Sequence, residues 1–287
     1  MSTSRSRPMQ HIDRKSLYTS LEARIRYLHS FLDFGSNDIE ALKSGSKYIQ
    51  ALIPAVVNIV YRKLLQYDIT ARAFTTRSTA FEGPMDESPD EESPQILHRK
   101  MFLRAYLKKL CSDPTQMEFW EYLDKVGMMH TGIGRTHPLH IEYIHIGAGL
   151  AVIQDVLTEA ILSHPRLHLQ RKMAIVKALG KVIWIQNDLF TKWYVHDGEE
   201  YTDGIDYGVI EKEGWLHGKK ILSEEDEAGS EKSDDTATVG NNGGCPAAGK
   251  RASAATAGVC PFTGQMADLK LDDGKSGAAK NGGEAAA

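Results

Sequence analysis

Between Phe119 and Leu150 the chain reads FWEYLDKVGMMHTGIGRTHPLHIEYIHIGAGL. The side chain in this stretch best placed for chemistry is the imidazole of His130. Phe119, Tyr122, Leu123, Val126 and Met129 recur at three and four residues, the spacing of one helical face. His130 stands four past Val126 and one past Met129, so it extends that apolar face. Gly132, Gly134 and Pro138 then break the helix, and a new apolar run begins at Leu139. A buried neutral imidazole needs a partner for each ring nitrogen. Heme iron on one side and a carbonyl on the other would satisfy both. A core histidine bonded only to backbone is the other reading that the spacing leaves open.

Further residues are candidates for the same chemistry. Tyr61 lies among Val57, Val60, Leu64 and Leu65, and a buried phenol wants a hydrogen-bond partner. It can donate to a bound gas, or reach the surface from a plain core. Phe102 and Leu103 lead an apolar stripe that can wall a flat cofactor or simply fill a core. Val126 and Met129 share the face of His130. His137, His140 and His145 follow His130 with H-x6-H-x2-H-x4-H spacing, which matches no familiar closed zinc pattern. With Arg135 they are candidates for the rim of a cofactor pocket, meeting carboxylates. Cys245-Pro246 and Cys260-Pro261 resemble heme-regulatory dipeptides, and are equally readable as redox-sensitive thiols or coincidence. Cys111 reads as structural. No Ser-His-Asp order, Walker loop or Rossmann fingerprint is present. GAGL at 147–150 lies in a helical run and reads as close helix packing.

The elements that must position these residues are helical throughout. A stripe of Leu17, Leu21, Ile25, Leu28, Phe31 and Leu32 predicts a helix over 16–34, stopped at Gly35. Ser36, Asn37 and Asp38 offer an N-cap for a second helix through Leu52. Pro54 is expected to end that helix or to open a third, deep one carrying Val56 to Leu65. Residues 75–95 are acidic and rich in Pro and Ser, and read as a long loop. Helical spacing resumes at 95 or 96 and runs to Leu110. The His130 helix follows, then helices over 139–163 and 167–195. The expected organisation is a flexible 1–13, an all-helical domain over 14–200, a possible extension over 201–222, and a tail over 223–287. That tail is too poor in apolar residues to offset its ordering entropy, roughly 1–2 kcal/mol per residue.

Composition narrows the function classes. The 287 residues are 41% hydrophobic with a formal net charge of -4, which argues against nucleic acid or an anionic membrane as main partner. No apolar run in the sequence approaches the roughly 18 residues expected of a membrane span. MSTSRSRPMQ lacks the apolar segment of a secretory signal. Three cysteines form no disulfide framework and fit a reducing compartment, so the cytosol is expected.

Three motifs carry a family resemblance. VGMMHTGIG (126–134) resembles the I-G-x-x-H-x-x-I-G segment of the sensor-globin lineage, that is, protoglobins and the globin domains of globin-coupled sensors. VYRKLLQYDITARAF (60–74) resembles that lineage's F/W-Y-x-x-L segment, and HRKMFLRAYL (98–107) its distal helix. The leading segment 16–42 is similar to the family's extra N-terminal helix, and the resemblance covers about 16–196. It implies an all-α, globin-like fold of protoglobin type with a disordered tail behind it. It also implies heme b, with His130 as the proximal ligand to iron, Tyr61 as the distal donor, and Phe102 and Leu103 shaping the pocket. The bound ligand would be a diatomic gas (O2, CO or NO), serving sensing, storage or detoxification. Family members often pair through their last helices, so a homodimer through 139–163 and 167–195 is expected. Val60 stands where protoglobins carry a bulky aromatic, which would leave ligand access open. No output domain is recognisable after the globin part. The rival readings are a heme enzyme of peroxidase or nitric-oxide dioxygenase type, and a cofactor-free all-α interaction module.

Overall fold

The computed structural model describes residues 9–78, 80–135, 137, 139–205, 207 and 215–220. All of them belong to the first of two compact units, Met1–Thr236; the second, Ala237–Ala287, lies outside the described residues, as do Cys245 and Cys260. The order is α1 (Arg14–Thr19), α2 (Leu21–Phe31), α3 (Ser36–Leu65), α4 (Asp68–Ala71), a 3-10 turn (Arg72–Thr75), α5 (Pro94–Leu110) and α6 (Met117–His130). Then come α7 (Tyr143–Ser163), α8 (Leu169–Thr191), α9 (Glu199–Thr202) and a two-residue antiparallel pair, β1 (Trp215–Leu216) with β2 (Lys219–Lys220). The all-helical expectation holds, and that pair is the one sheet among the described residues.

Helix α3 is central, packing against α5, α7 and α8, while α6 and α7 each pack on α8. Its inward stripe of Ile49, Ile53, Val56, Val57 and Val60 is buried, as are Ile175, Val182, Ile185 and Leu189 of α8. The Arg24 guanidinium clamps Asp188 through two hydrogen bonds of 2.6 and 3.0 Å, fixing α2 to α8.

Three expectations about these elements are corrected. The first helix is two, because Ser20 is extended and its hydroxyl accepts from the Ala23 N–H at 3.2 Å, capping α2. Pro54 neither ends nor starts a helix; it lies inside α3. Both Pro54 and Gln50 are exposed, so water can satisfy the carbonyl that the missing N–H leaves behind. Helix α7 is, by length and composition, apolar enough to cross a bilayer, with mean hydropathy 1.4 over its best window. Here it packs on α3 and α8. The acidic segment is the loop expected, and it is held in place: Gln95, buried at the start of α5, exchanges two hydrogen bonds with the backbone of Asp86. Glu91 pairs with Arg62 and with buried Lys100.

Candidate heme site

Helix α6 presents His130 at its last residue. The imidazole Nδ1 lies 2.7 Å from the carbonyl of Val126, one turn earlier. A carbonyl only accepts, so Nδ1 carries the proton, and in the neutral ring Nε2 then holds the lone pair with which imidazole ligates a metal. The ring also stacks on Phe190 of α8, with centroids 5.5 Å apart and planes at 29°. Gly127 makes that approach possible, since a Cβ there would come within 2.8 Å of Phe190 Cδ1 and 3.0 Å of the Leu189 carbonyl oxygen. Beyond the histidine the chain turns sharply. Gly132 and Gly134 take φ of 90° and 78°, and the Ile141 N–H donates to the His130 carbonyl at 2.8 Å. Tyr194 locks the corner by donating to the Ile141 carbonyl at 2.7 Å.

His130 opens on a cavity of about 740 Å³, within the roughly 300–1,000 Å³ span of cofactor sites. All six residues read from sequence, His130, Tyr61, Phe102, Leu103, Met129 and Val126, line this one space. Tyr61 is buried on α3 with its ring 5.6 Å from that of Phe74. Arg135, His140 and His145 line it as well, and His137 does not. Among the described residues no three His, Cys, Asp or Glu side chains converge to hold an ion, so the zinc reading finds no cluster. Cys111 is partly buried, and burial pushes its thiol up to about 12.

Several lining residues were missed by the sequence. On α5, Arg99 and Tyr106 join Phe102 and Leu103, a spacing of three, four and seven that is itself a helical face. Gln186 is a lone polar residue on the apolar stripe of α8 and is 1% exposed. It adjoins Tyr106, whose phenol burial pushes well above its usual range. The reading of GAGL as close packing is overturned. Gly149 lines the cavity, and a Cβ built on it meets nothing within 4 Å. The missing side chain there leaves a flat stretch of wall.

Heme passes the test of fit on this donor set. One neutral imidazole is oriented by a carbonyl, the walls are apolar, and Gly149 leaves space. Arg72, Arg99, Lys125 and Arg135 line the cavity against one acid among the described residues, Glu142, a balance that suits a cofactor bearing two carboxylates.

The family model described as Protoglobin matches residues 21–200. Among solved structures, the chain is similar to the globin domain of a Geobacter sulfurreducens globin-coupled sensor. That match has 15% identity and a TM-score of 0.44, over 59% of this chain and 97% of that one. No curated protein matches.

Proposed function

Since this chain belongs to the protoglobin family, we propose that it binds heme b and, through it, a diatomic gas. Heme would supply an iron able to take O2, CO or NO. The observation that carries the reading is the His130 imidazole, with its proton tied to Val126, opening on a large apolar cavity that Tyr61 shares. In this reading His130 ligates iron through Nε2. Tyr61 donates a hydrogen bond to the gas. Phe102, Leu103, Val126 and Met129 exclude water, and Arg135, His140 and His145 meet the propionates.

The chain pairs with a second copy through α7 and α8. Ile144 is 70% exposed and Trp184 61%, with Leu162, Leu169 and Met173 also bare on these two helices. Its compartment is the cytosol, as the sparse cysteines suggest. The gas serves sensing, storage or detoxification.

The test is absorbance. Purified protein supplied with hemin should show a Soret band, and His130→Ala should weaken or abolish it. A protein that stays folded and colourless after hemin is supplied overturns the reading, leaving the cofactor-free interaction module in its place.

A further inference from the structure

One wall of the cavity comes from beyond the family-matched span, which stops at residue 200. Trp215 lines the same space as His130 and Tyr61. It sits in the hairpin β1–β2, whose two-residue turn His217-Gly218 has φ of 50° and 72°. Two successive left-handed residues are the geometry of the tight turn that best fits the twist of paired strands. A lone two-stranded hairpin is marginal in water, so what fastens this one matters. The Lys125 ammonium donates to the Trp215 carbonyl, and His217 Nε2 lies 2.9 Å from Glu121 Oε2. Glu121 and Lys125 are one turn apart on α6, the helix that ends in His130.

Alternation along β1 sends its two apolar side chains to opposite faces. Trp215 goes to the His130 cavity. Leu216 goes to a second cavity of about 490 Å³, which shares Lys125 and Met129 with the first. The hairpin thus straddles α6. Trp215 is 37% exposed, so it lines the cavity at its edge and keeps part of its surface in solvent.

We propose that the 215–220 hairpin is a strap belonging to the cofactor site, with Trp215 a wall residue that contacts the bound porphyrin and keeps water from it. This rests on the heme reading above. It adds a determinant of cofactor retention outside the part of the chain that the family match covers.

The experiment uses the full chain loaded with heme, and measures transfer of heme to an excess of a heme-free acceptor globin. Trp215→Ala should raise the loss rate roughly tenfold, the equivalent of removing one aromatic side chain's contact. Gly218→Val, which a left-handed turn position resists, should do the same by unseating the hairpin. Phe31→Leu, exposed at the end of α2 and outside both cavities, serves as the control and should change nothing. The wild-type protein gives a second measure that does not depend on the variants: amide exchange across 215–220 should slow on heme loading. Loss rates within twofold of wild type for both variants, or exchange indifferent to heme, overturn the strap while the heme reading stands. A wild-type protein that takes up no heme at all defeats the heme reading and the strap together.

Discussion

The proton on His130 Nδ1 is held by a carbonyl of its own helix, so the ring's rotation is fixed as well as its tautomer. That makes the imidazole replaceable in kind. Loss of an outer partner of a metal ligand costs about 10–100-fold in affinity, and loss of the ligand itself should cost more. His130→Gly is therefore expected to lose the Soret band by more than about 100-fold in retention, and to regain it when free imidazole is supplied. Absorbance titration with and without imidazole checks this; a band unmoved by the substitution would place the iron ligand elsewhere. Tyr61 calls for a different readout. A hydrogen bond to a partly charged acceptor contributes about 1.5–3 kcal/mol, and bound O2 is polarised more than bound CO. Tyr61→Phe should speed O2 dissociation roughly ten- to hundredfold while CO dissociation moves far less. Stopped-flow mixing measures both, and equal effects on the two gases would mean that the phenol acts by shape rather than by donation.

Two glycines, one on α6 and one on α7, test how the helices frame the cavity, and they predict opposite outcomes. A methyl at Gly127 has nowhere to go, since Phe190 and the Leu189 carbonyl are already within 3.0 Å of it. Gly127→Ala should lower stability by about 1–3 kcal/mol, in spite of the ~1 kcal/mol that alanine ordinarily adds in a helix. The strain should also displace the His130 ring from Phe190. At Gly149 the space is open, so Gly149→Ala should raise the stability of heme-free protein by about 0.5–1 kcal/mol. Gly149→Leu should cut heme uptake by occupying the wall. Denaturant melts of the four proteins decide the stability arm, and hemin titration the uptake arm. This contrast also shows what the sequence could and could not convey. Apolar spacing and a glycine pair are local signals, so α6, its corner and the helix after it were legible, as were the six lining residues that share helical faces. Whether a missing Cβ meets a neighbour or empty space depends on another helix, and for that reason GAGL reads as close packing while Gly149 faces open space. Pro54 reads as a breaker in the sequence because the solvent beside it is a tertiary fact. Trp215 and Lys125 lie 90 residues apart in the chain, and their contact leaves no trace in any periodicity.

At the scale of the whole molecule, the question is what covers α7 and α8. Only 28% of the apolar window of α7 is buried, although the helix packs on both α3 and α8. Ile144, Ala148 and Ala151 lie outward along α7 at helical spacing, as do Leu169, Met173 and Trp184 along α8. The small residues at the centre of the α7 face let another helix approach closely, and Trp184 supplies the large, half-wet aromatic that interface cores favour. Two copies joined on this face would lay four helices together, each pair contributing the same patch, as a two-fold interface requires. A charge placed at its centre would lie against itself across the axis. Trp184→Glu is accordingly expected to shift the chain from dimer to monomer by analytical ultracentrifugation, weakening association by more than about tenfold, since a buried aromatic anchor is worth ~2 kcal/mol or more. The Soret band should survive, because Trp184 does not line the cavity. A wild-type chain that sediments as a monomer at tens of micromolar would rule out the dimer. It would leave this apolar face to a different partner, with the chemistry at His130 untouched.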